Sequence, residues 1–448
     1  MGGLKNCLKE PVVLLAVHII ILLGAIVVGA RMGSIAIGFA GGLGVLLLGA
    51  TGMPVSADAI PFDVIGIIMC VIAAISAMQL AGGMDYLVDL AERFLRRNPK
   101  RITVYAPIVT WLMTVLAGTG HTAFSTMPVI VEVAKEGKVR PSRPLAAAVI
   151  ASQMAIVASP ISAAVVFMAS ALEPLGVGYL QLLAVMIPAT FLAIFPMAWI
   201  ANKSGAELED DPVYRKRVAE GLVAQPASRE HYVPPQGAKA SVGIFLAAIV
   251  IVMVYATLIS DQVGLISDPT IPRNEAIMAI MLGAAAAIVL VTRTTAAEIL
   301  NTQVFRSGMS ACVCVLGVAW LGTTFINYYI EDIQNIAGDV LTAKPWLLAI
   351  VLFIAASLLY SQAATAKALI PAALAIGVSP LTALAAFPAV SALFVLPTYP
   401  TLLAAVEMDD TGSTRIGKYV FNHPFLVPGV VCIVVSVILG YAIGAVVV

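Results

Sequence analysis

The residues whose chemistry could bind a ligand lie at interruptions of long apolar stretches. Three of the four interruptions combine Gly or Pro with small polar residues, as in Gly118-Thr-Gly-His-Thr122 and Ser159-Pro160, and the fourth is Ser361-Gln-Ala-Ala-Thr365. A helix broken in this way presents backbone N–H donors at its new N-terminus, and those donors attract anions. We therefore predict a substrate site for an anion. Its candidate residues are Thr119, His121, Thr122, Ser159, Ser162, Ser361, Gln362, Thr365, Lys367, Thr398, Tyr399 and Thr401.

Lys367 is the most informative candidate because the sequence around it is almost uncharged. It lies in the stretch Ser361-Gln-Ala-Ala-Thr-Ala-Lys-Ala-Leu-Ile-Pro371, and no Asp or Glu is near it in sequence. A lysine at the centre of a membrane helix costs about 2.5–3.5 kcal/mol on insertion scales, so an anionic partner is expected. We predict that Lys367 balances a substrate carboxylate or takes the place of a bound sodium ion. The alternative is a lysine whose side chain extends to the membrane surface.

The remaining candidates each have a structural alternative. His121, between Gly120 and Thr122, could donate to a carboxylate or carry a proton near neutral pH. It could equally be a neutral histidine that bonds to the backbone. Any single Ser or Thr could bond to a carbonyl of its own helix. The grouping of the hydroxyls beside Gly and Pro favours a binding site over that alternative.

The composition restricts the class of protein. The chain has 448 residues, of which 60% are hydrophobic and 11% charged, whereas a soluble protein is about 45–50% apolar and about 25% charged. The formal net charge of zero excludes the basic excess of a nucleic-acid-binding protein. The sequence contains no HExxH, Walker or CxxC motif. We therefore predict a membrane protein that is not an enzyme and needs no metal or cofactor.

Long apolar runs occur in the same order in the two halves of the chain. They are 12–30, 34–52, 62–83, 103–136, 145–171 and 178–202, then 241–260, 274–293, 305–327, 345–377, 381–406 and 424–447. In each half the fourth and fifth runs are broken. Thr122 and Pro128 match Thr365 and Pro371 in type and spacing, which indicates an internal duplication.

The loop charges predict how the chain crosses the membrane. If the fourth run of each half enters and leaves the membrane on the same side, each half has five spans and one re-entrant hairpin. Because five is odd, the halves are inverted repeats. Basic residues between Arg93 and Arg101, and between Lys135 and Arg143, place those loops in the cytoplasm. We predict an all-α polytopic membrane protein with ten spans, two hairpins and both termini outside, an architecture typical of secondary transporters.

Several stretches carry a resemblance to a known family. They are Ile75-Ser-Ala-Met-Gln-Leu-Ala-Gly-Gly-Met-Asp85, Leu95-Arg-Arg-Asn-Pro-Lys100, Gly118-Thr-Gly-His121, Ala158-Ser-Pro-Ile-Ser162, Ser361-Gln-Ala-Ala-Thr365 and Leu396-Pro-Thr-Tyr-Pro400. Over essentially its whole length the chain resembles the anaerobic C4-dicarboxylate transporter (Dcu) family. The resemblance is closer to the A-type branch than to the B-type, although His121 resembles the B-type tip.

The resemblance implies an antiporter in the inner membrane of Gram-negative bacteria. Such a protein imports fumarate, malate or aspartate and exports succinate during anaerobic fumarate respiration. It also implies an elevator-type mechanism, in which a dimeric scaffold holds a transport body that carries the hairpins across. We assign residues 1–102 and 241–344 to the scaffold, 103–202 and 345–448 to the transport body, and 203–240 to a cytoplasmic linker.

The expected partners are dicarboxylates, membrane lipid, a second copy of the chain and, at the exposed cytoplasmic segments, a sensor kinase. Both termini are expected in the periplasm. The alternative function is a sodium- or proton-coupled dicarboxylate symporter on the same fold.

Overall fold

The computed structural model describes residues 11–32, 35–60, 62–223, 233–259, 265–266, 268–329, 331, 344–397, 399–417 and 421–448. Every regular element within these residues is a helix. The α-helices of the first half are α1 Pro11–Met32, α2 Ala36–Ala50, α3 Phe62–Leu80, α4 Gly83–Leu95, α5 Ile102–Ala117, α6 Ala123–Glu136, α7 Ser142–Ile156, α8 Ala163–Leu172 and α9 Tyr179–Asn202.

The linker and the second half are helical as well. Their α-helices are α10 Pro212–Ala219, α11 Ala238–Leu258, α12 Arg273–Thr292, α13 Gln303–Tyr328, α14 Leu347–Leu359, α15 Gln362–Ala375, α16 Pro380–Ala386, α17 Pro400–Met408 and α18 Leu426–Val447. Apart from α4 and α10, which lie outside the predicted apolar runs, these helices lie where those runs predicted them. The broken runs become the pairs α5–α6, α7–α8, α14–α15 and α16–α17.

Several helices are long and apolar enough to cross a membrane. Among the described residues, α9, α11, α12 and α18 pass this test over their whole length, and α13 passes it over Val304–Phe325. A sixth candidate is the pair α3 and α4, which is bent by 75° at its junction. The described part of the chain is therefore all-helical, as the sequence predicted for a polytopic membrane protein.

The two predicted hairpins turn at equivalent residues. Helix α5 ends at Gly118 (φ 69°) and α14 ends at Tyr360 (φ 53°), and both residues have left-handed backbone conformations. We call Gly118–Thr122 the first tip, and Tyr360 with Ser361 the second tip. A left-handed conformation costs a residue with a side chain roughly 1–2 kcal/mol, so glycine fits the first tip and Tyr360 holds strain at the second.

The second tip is shorter than the sequence predicted. The first tip includes a 3₁₀ turn, Gly120–Thr122, before α6 begins. At the second tip Ser361 caps the next helix directly, because its Oγ accepts a hydrogen bond from the N–H of Ala364 at 3.2 Å. Thr365, which was expected in the break, therefore lies in the first turn of α15, and the Gln-Ala-Ala sequence after the cap suits a helix.

The two broken pairs also differ in length. The first break lies at 157–162, between α7 and α8. The second break, between α16 and α17, begins after a 3₁₀ turn, Phe387–Ser391, and ends where α17 starts at Pro400. It therefore starts earlier than the predicted interruption at Pro397. The 3₁₀ turn contains Pro388, which has no N–H to donate and so cannot continue an α-helix ladder.

The helices pack in a pattern that follows the internal duplication. Helix α15 of the second half packs against α8 of the first, and α17 packs against α6. Each tip therefore lies beside the broken pair of the opposite half. Helix α7 is at the centre of this arrangement, and its residues Ser142 to Ala155 are all buried.

The helices assigned to the scaffold pack mainly on one another. Helix α13 packs against α2 and α3, and α12 packs against α3 and α11. Helices α2 and α13 approach so closely that a Cβ atom built on Gly317 would lie 1.9 Å from the carbonyl oxygen of Gly38. Small residues at crossings of this kind are typical of membrane helix interfaces.

The first part of the linker docks onto two loops of the predicted transport body. Asp211 is only 1% exposed and forms ion pairs with Arg140 at 2.7 Å and with Arg415 at 3.1 Å. Burial opposes the charge of Asp211, but the hydrogen bond from the N–H of Val213 and the two guanidinium groups outweigh it and lower the pKa of the carboxyl. The sequence predicted a solvated linker, and this buried ion pair network was not expected.

The first tip provides a test of this architecture. A Cβ atom on Gly118 would lie 2.9 Å from Cγ1 of Ile161 in the first break. We expect Gly118→Ala to destabilise the protein by about 2 kcal/mol or more, because it combines left-handed strain with overpacking. The measurement is the melting temperature of the detergent-purified protein.

Gly176 is the matched control, because its φ is 89° and a Cβ atom there would meet nothing within 4 Å. Gly176→Ala should show the strain alone. Equal melting temperatures for the two variants would contradict the close packing of the first tip on the first break.

Candidate functional site

One cavity of about 440 Å³ lies where the broken helices meet. This volume is in the range of small-molecule sites in proteins, which are typically about 300–1,000 Å³. The residues that line it are Ile67, Ile68, Val71, Ile72, Gly118, Thr119, Gly120, Phe124, Ile156, Ile161, Ala163, Ala164, Arg306, Ser310, Cys314, Val318, Leu359, Tyr360, Ser361, Gln362, Ala363, Tyr399 and Pro400.

Four helix beginnings form one side of this cavity. They belong to α6, α8, α15 and α17, and each contributes residues at or just before its first turn to the lining. Ser162 caps α8 by accepting a hydrogen bond from the N–H of Val165 at 3.2 Å, and Ser361 caps α15 in the same way. In general the other N–H groups of a first turn have no partner one turn earlier. Helix α17 offers fewer such donors, since Pro400 has no N–H and the N–H of Leu402 donates to the carbonyl of Tyr399 at 3.0 Å. Four positive dipole ends that face one cavity favour an anion there.

Helices α3 and α13 supply most of the remaining lining. Helix α3 contributes isoleucine and valine residues between Ile67 and Ile72. Helix α13 contributes Arg306, Ser310, Cys314 and Val318, which are spaced four residues apart and so follow one face of the helix. Among the described lining residues, Arg306 is the one with a charged side chain. The cavity is thus lined by helix beginnings and by largely apolar faces of α3 and α13.

Four of the candidates predicted from sequence line the cavity. Thr119 lies in the first tip, Ser361 in the second tip, Gln362 at the start of α15, and Tyr399 immediately before α17. The Gln362 side chain donates a hydrogen bond to the backbone oxygen of Gln153 at 3.2 Å. These residues come from three different interruptions and meet in one place, as the duplicated pattern led us to expect.

Other candidates make structural hydrogen bonds behind the cavity wall. The hydroxyl of Ser159 donates to the carbonyl of Val115 at 2.7 Å, and the hydroxyl of Thr365 donates to the carbonyl of Ser361 at 2.7 Å. Thr122 and Thr114 share a hydroxyl–hydroxyl bond of 2.9 Å. Ser162 donates to the carbonyl of Ile156 at 2.6 Å in addition to capping α8, and the hydroxyl of Thr401 accepts from Gln153. None of these five residues is among the described lining residues, and their contact with a substrate stays a prediction.

Three further candidates, Lys367, His121 and Thr398, are not among the described lining residues. Lys367 is half-buried in α15 and is not among the described lining residues. It is five residues beyond Gln362, or about 8 Å along the helix at 1.5 Å per residue. The backbone of His121 lies in the first tip, but its side chain is outside the described structure, and so is Thr398. Roles for these three residues in binding stay predictions.

Sequence reasoning missed Gln153, a connection between the two halves. It lies in the middle of α7 and its side chain donates to the hydroxyl of Thr401 at 3.3 Å. Its backbone oxygen accepts hydrogen bonds from Gln362 and from the hydroxyl of Ser391, the latter at 3.3 Å. One residue therefore ties the second tip to the second broken pair. Only its polarity, within an Ala-rich helix, could have marked it in the sequence.

Sequence reasoning also missed Tyr360 and Arg306. Tyr360 lines the cavity and stacks on Tyr399 with ring centroids 6.2 Å apart and planes inclined by 16°. A bulky residue in the left-handed conformation is uncommon and often marks a functional site. No sequence pattern predicts that conformation at a tyrosine. Arg306 lies at the end of an apolar run, where a charged residue looks like an ordinary membrane-surface residue.

Comparisons with known proteins agree with the resemblance seen in the sequence. A family model described as "Anaerobic c4-dicarboxylate membrane transporter" matches residues 14–448. A "C4-dicarboxylate transporter DcuA" from Wolinella succinogenes is 60% identical over 430 residues, which cover 96% of this chain and 99% of the relative. A protein of the same name from Escherichia coli K12 is 55% identical, with the same coverage of both chains.

A B-type relative is less similar. An "Anaerobic C4-dicarboxylate transporter DcuB" from Escherichia coli strain CFT073 is 36% identical over 452 residues, covering 96% of this chain and 99% of the relative. Matches of this length and identity extend over both halves and all four broken pairs. The chain therefore belongs to the DcuA/DcuB family of anaerobic C4-dicarboxylate membrane transporters, a family of transporters and not of enzymes, and within it the chain is of the A type.

Proposed function

We propose that this protein is an antiporter that exchanges C4-dicarboxylates across the bacterial inner membrane. It takes up fumarate, malate or aspartate and releases succinate. The observation that carries this proposal is the convergence of four helix beginnings on one cavity in a chain that belongs to this transporter family.

The cavity has the groups that a small dianion needs. Carboxylates accept hydrogen bonds, and the helix beginnings offer backbone N–H donors. Thr119 and Ser361 add hydroxyl groups, and Gln362 adds an amide. These groups bind negative charge without a fixed positive charge on each of them, so the substrate can leave again. A transporter needs this moderate affinity because binding that is too strong slows release.

The position of the cavity suits alternating access. It lies between the helix beginnings of the predicted transport body and helices α3 and α13 of the predicted scaffold. In an elevator-type mechanism the first group carries the substrate and slides along the second. The proposal includes ten spans, two re-entrant hairpins and a scaffold that dimerises. It places both termini in the periplasm, and a sensor kinase would meet the cytoplasmic segments.

Lys367 gives the proposal its link to obligatory exchange. It lies in α15, which begins at the cavity, and it belongs to the predicted transport body. We assign it the role predicted from the sequence, in which its ammonium group takes the place of a bound sodium ion. A transport body without substrate then carries a positive charge that crosses the membrane reluctantly, since a charge in the bilayer is costly. A bound dianion pairs one of its carboxylates with this ammonium and crosses with a net charge of −1 instead of −2. We propose that the ammonium crosses only when a carboxylate accompanies it, so transport in each direction requires a substrate.

The exchange proposal is tested by uptake of labelled fumarate into proteoliposomes with and without internal succinate. We expect internal succinate to raise the initial rate several-fold, with no imposed sodium or proton gradient. An uptake rate that does not depend on internal succinate but rises with an imposed sodium or proton gradient would favour the symporter instead.

A second test concerns the movement of the predicted transport body relative to the predicted scaffold. Glu173, near the end of α8, pairs with Arg273 at the start of α12 at 2.7 Å, and so joins the predicted body to the predicted scaffold. We expect cysteines at these two positions, joined through disulfide bonds by a methanethiosulfonate cross-linker in a background without the native cysteines, to stop exchange. Reduction should restore it, because the two bodies must move past each other.

The matched control lies within the predicted transport body. Lys135 and Asp410 pair at 2.9 Å and come from opposite halves of the chain. Cross-linked cysteines at these positions should leave exchange active. Loss of exchange in both cross-linked proteins, or in neither, would contradict the division into these two bodies.

The role of Lys367 is tested by substitution. We expect Lys367→Ala to lower the exchange rate about tenfold or more, because a hydrogen bond to a charged group contributes about 1.5–3 kcal/mol. Lys367→Arg keeps the charge and should retain more activity. The measurement is succinate counterflow, normalised to folded protein in the membrane. Full exchange by Lys367→Ala would refute the assigned role.

A further inference from the structure

Arg306 combines three features that no other described lining residue combines. It has a charged side chain, it lines the cavity, and its side chain is exposed. It lies in the first turn of α13, one turn before Ser310 on the face that continues to Cys314. This face leads from a charged residue at the exposed end to the apolar Val318 further along the helix. Arg306 is therefore placed at the mouth of the cavity.

The neighbours of Arg306 leave its charge uncompensated within the described structure. Its Nη2 atom donates to the side-chain oxygen of Asn301 at 3.4 Å, which is a long bond to a neutral group. No carboxylate among the described residues pairs with it, and no Asp or Glu is in the described lining of the cavity. A guanidinium can hold a carboxylate through two parallel N–H donors.

The cavity offers two kinds of positive group to a dicarboxylate. The helix beginnings suit one carboxylate, and Arg306, on a helix of the predicted scaffold, suits the second. A monocarboxylate could use only one of these sites. The distribution of positive groups therefore favours a small molecule with negative charge at both ends.

We propose that Arg306 binds one substrate carboxylate at the cytoplasmic mouth of the cavity and does so in only one of the two transport states. This inference rests on the proposed function, because it uses the division into two bodies. Helix α13 belongs to the scaffold, whereas the helix beginnings belong to the body that moves. When that body carries the substrate across, it leaves Arg306 behind. Arg306 therefore acts on substrate from the cytoplasm and not on substrate from the periplasm.

The test measures apparent KM separately at each membrane face. Right-side-out and inverted membrane vesicles are loaded with saturating succinate, and labelled succinate is varied outside. We expect Arg306→Gln to raise the apparent KM about tenfold or more in inverted vesicles, since a charge-assisted hydrogen bond is lost. In right-side-out vesicles the KM should match that of the unmodified protein. Arg306→Lys should give an intermediate value, because lysine keeps the charge but not the paired donors.

Arg293→Gln is the matched control. Arg293 is exposed at the end of α12 and is not among the described lining residues. Its substitution by Gln removes the same charge from the same predicted membrane face. It should leave the KM unchanged at both faces. A general effect of surface charge would instead appear equally in Arg293→Gln and Arg306→Gln, and would overturn the proposal.

Cys314 provides a second readout that does not depend on transport. It lines the cavity two turns beyond Arg306, so bound succinate should protect it from a maleimide. Arg306→Gln should raise the succinate concentration that gives half-protection when reagent and substrate are added to inverted vesicles.

Unchanged KM and protection, or equal changes at both faces, would refute the proposal. Failure of the proposed function is a separate result, namely absence of succinate counterflow in the unmodified protein.

Discussion

Broken helices in a membrane protein must find partners for their backbone N–H and C=O groups. Lipid offers none, so such breaks are tolerated only where protein or water can reach them. Within the described residues four predicted apolar runs are broken into helix pairs, and the beginning of the second helix of each pair lies at one cavity. The need to satisfy these backbone groups therefore produces the same arrangement that binding an anion requires.

Most hydroxyl residues at the breaks stabilise the breaks themselves. Ser162 and Ser361 cap the helices that follow them, while Ser159 and Thr365 bond to carbonyls. These bonds leave other N–H groups of the first turns available on the cavity side. The polarity of the site thus comes largely from the backbone, and the side chains fix where the helix ends point.

The sequence predicted the parts of the fold that depend on local composition. Hydropathy located the helices apart from α4 and α10, and Gly and Pro located three of the four interruptions, including those at Gly118 and Pro400. It did not predict which hydroxyl faces the cavity, because that depends on how far each helix is rotated and where its first turn begins. Ser361 and Thr365 are four residues apart, yet Ser361 lines the cavity and Thr365 bonds behind it. Gln153 and Arg306 owe their places to packing between distant segments, which a single sequence does not reveal.

The proposed mechanism separates two electrostatic tasks between two cations. Helix dipoles attract a carboxylate but carry no net charge, so they cannot neutralise a dianion that moves across the membrane. A cation on the moving body travels with the substrate and reduces the charge transferred, and Lys367 in α15 fits this task. A cation on the stationary wall attracts the substrate but does not travel, and Arg306 in α13 fits that task. With Lys367 alone on the moving body, a dianion crosses with a net charge of −1 instead of −2, whereas Arg306 adds nothing to the charge that crosses. The stationary position of Arg306 therefore serves capture and release at one face.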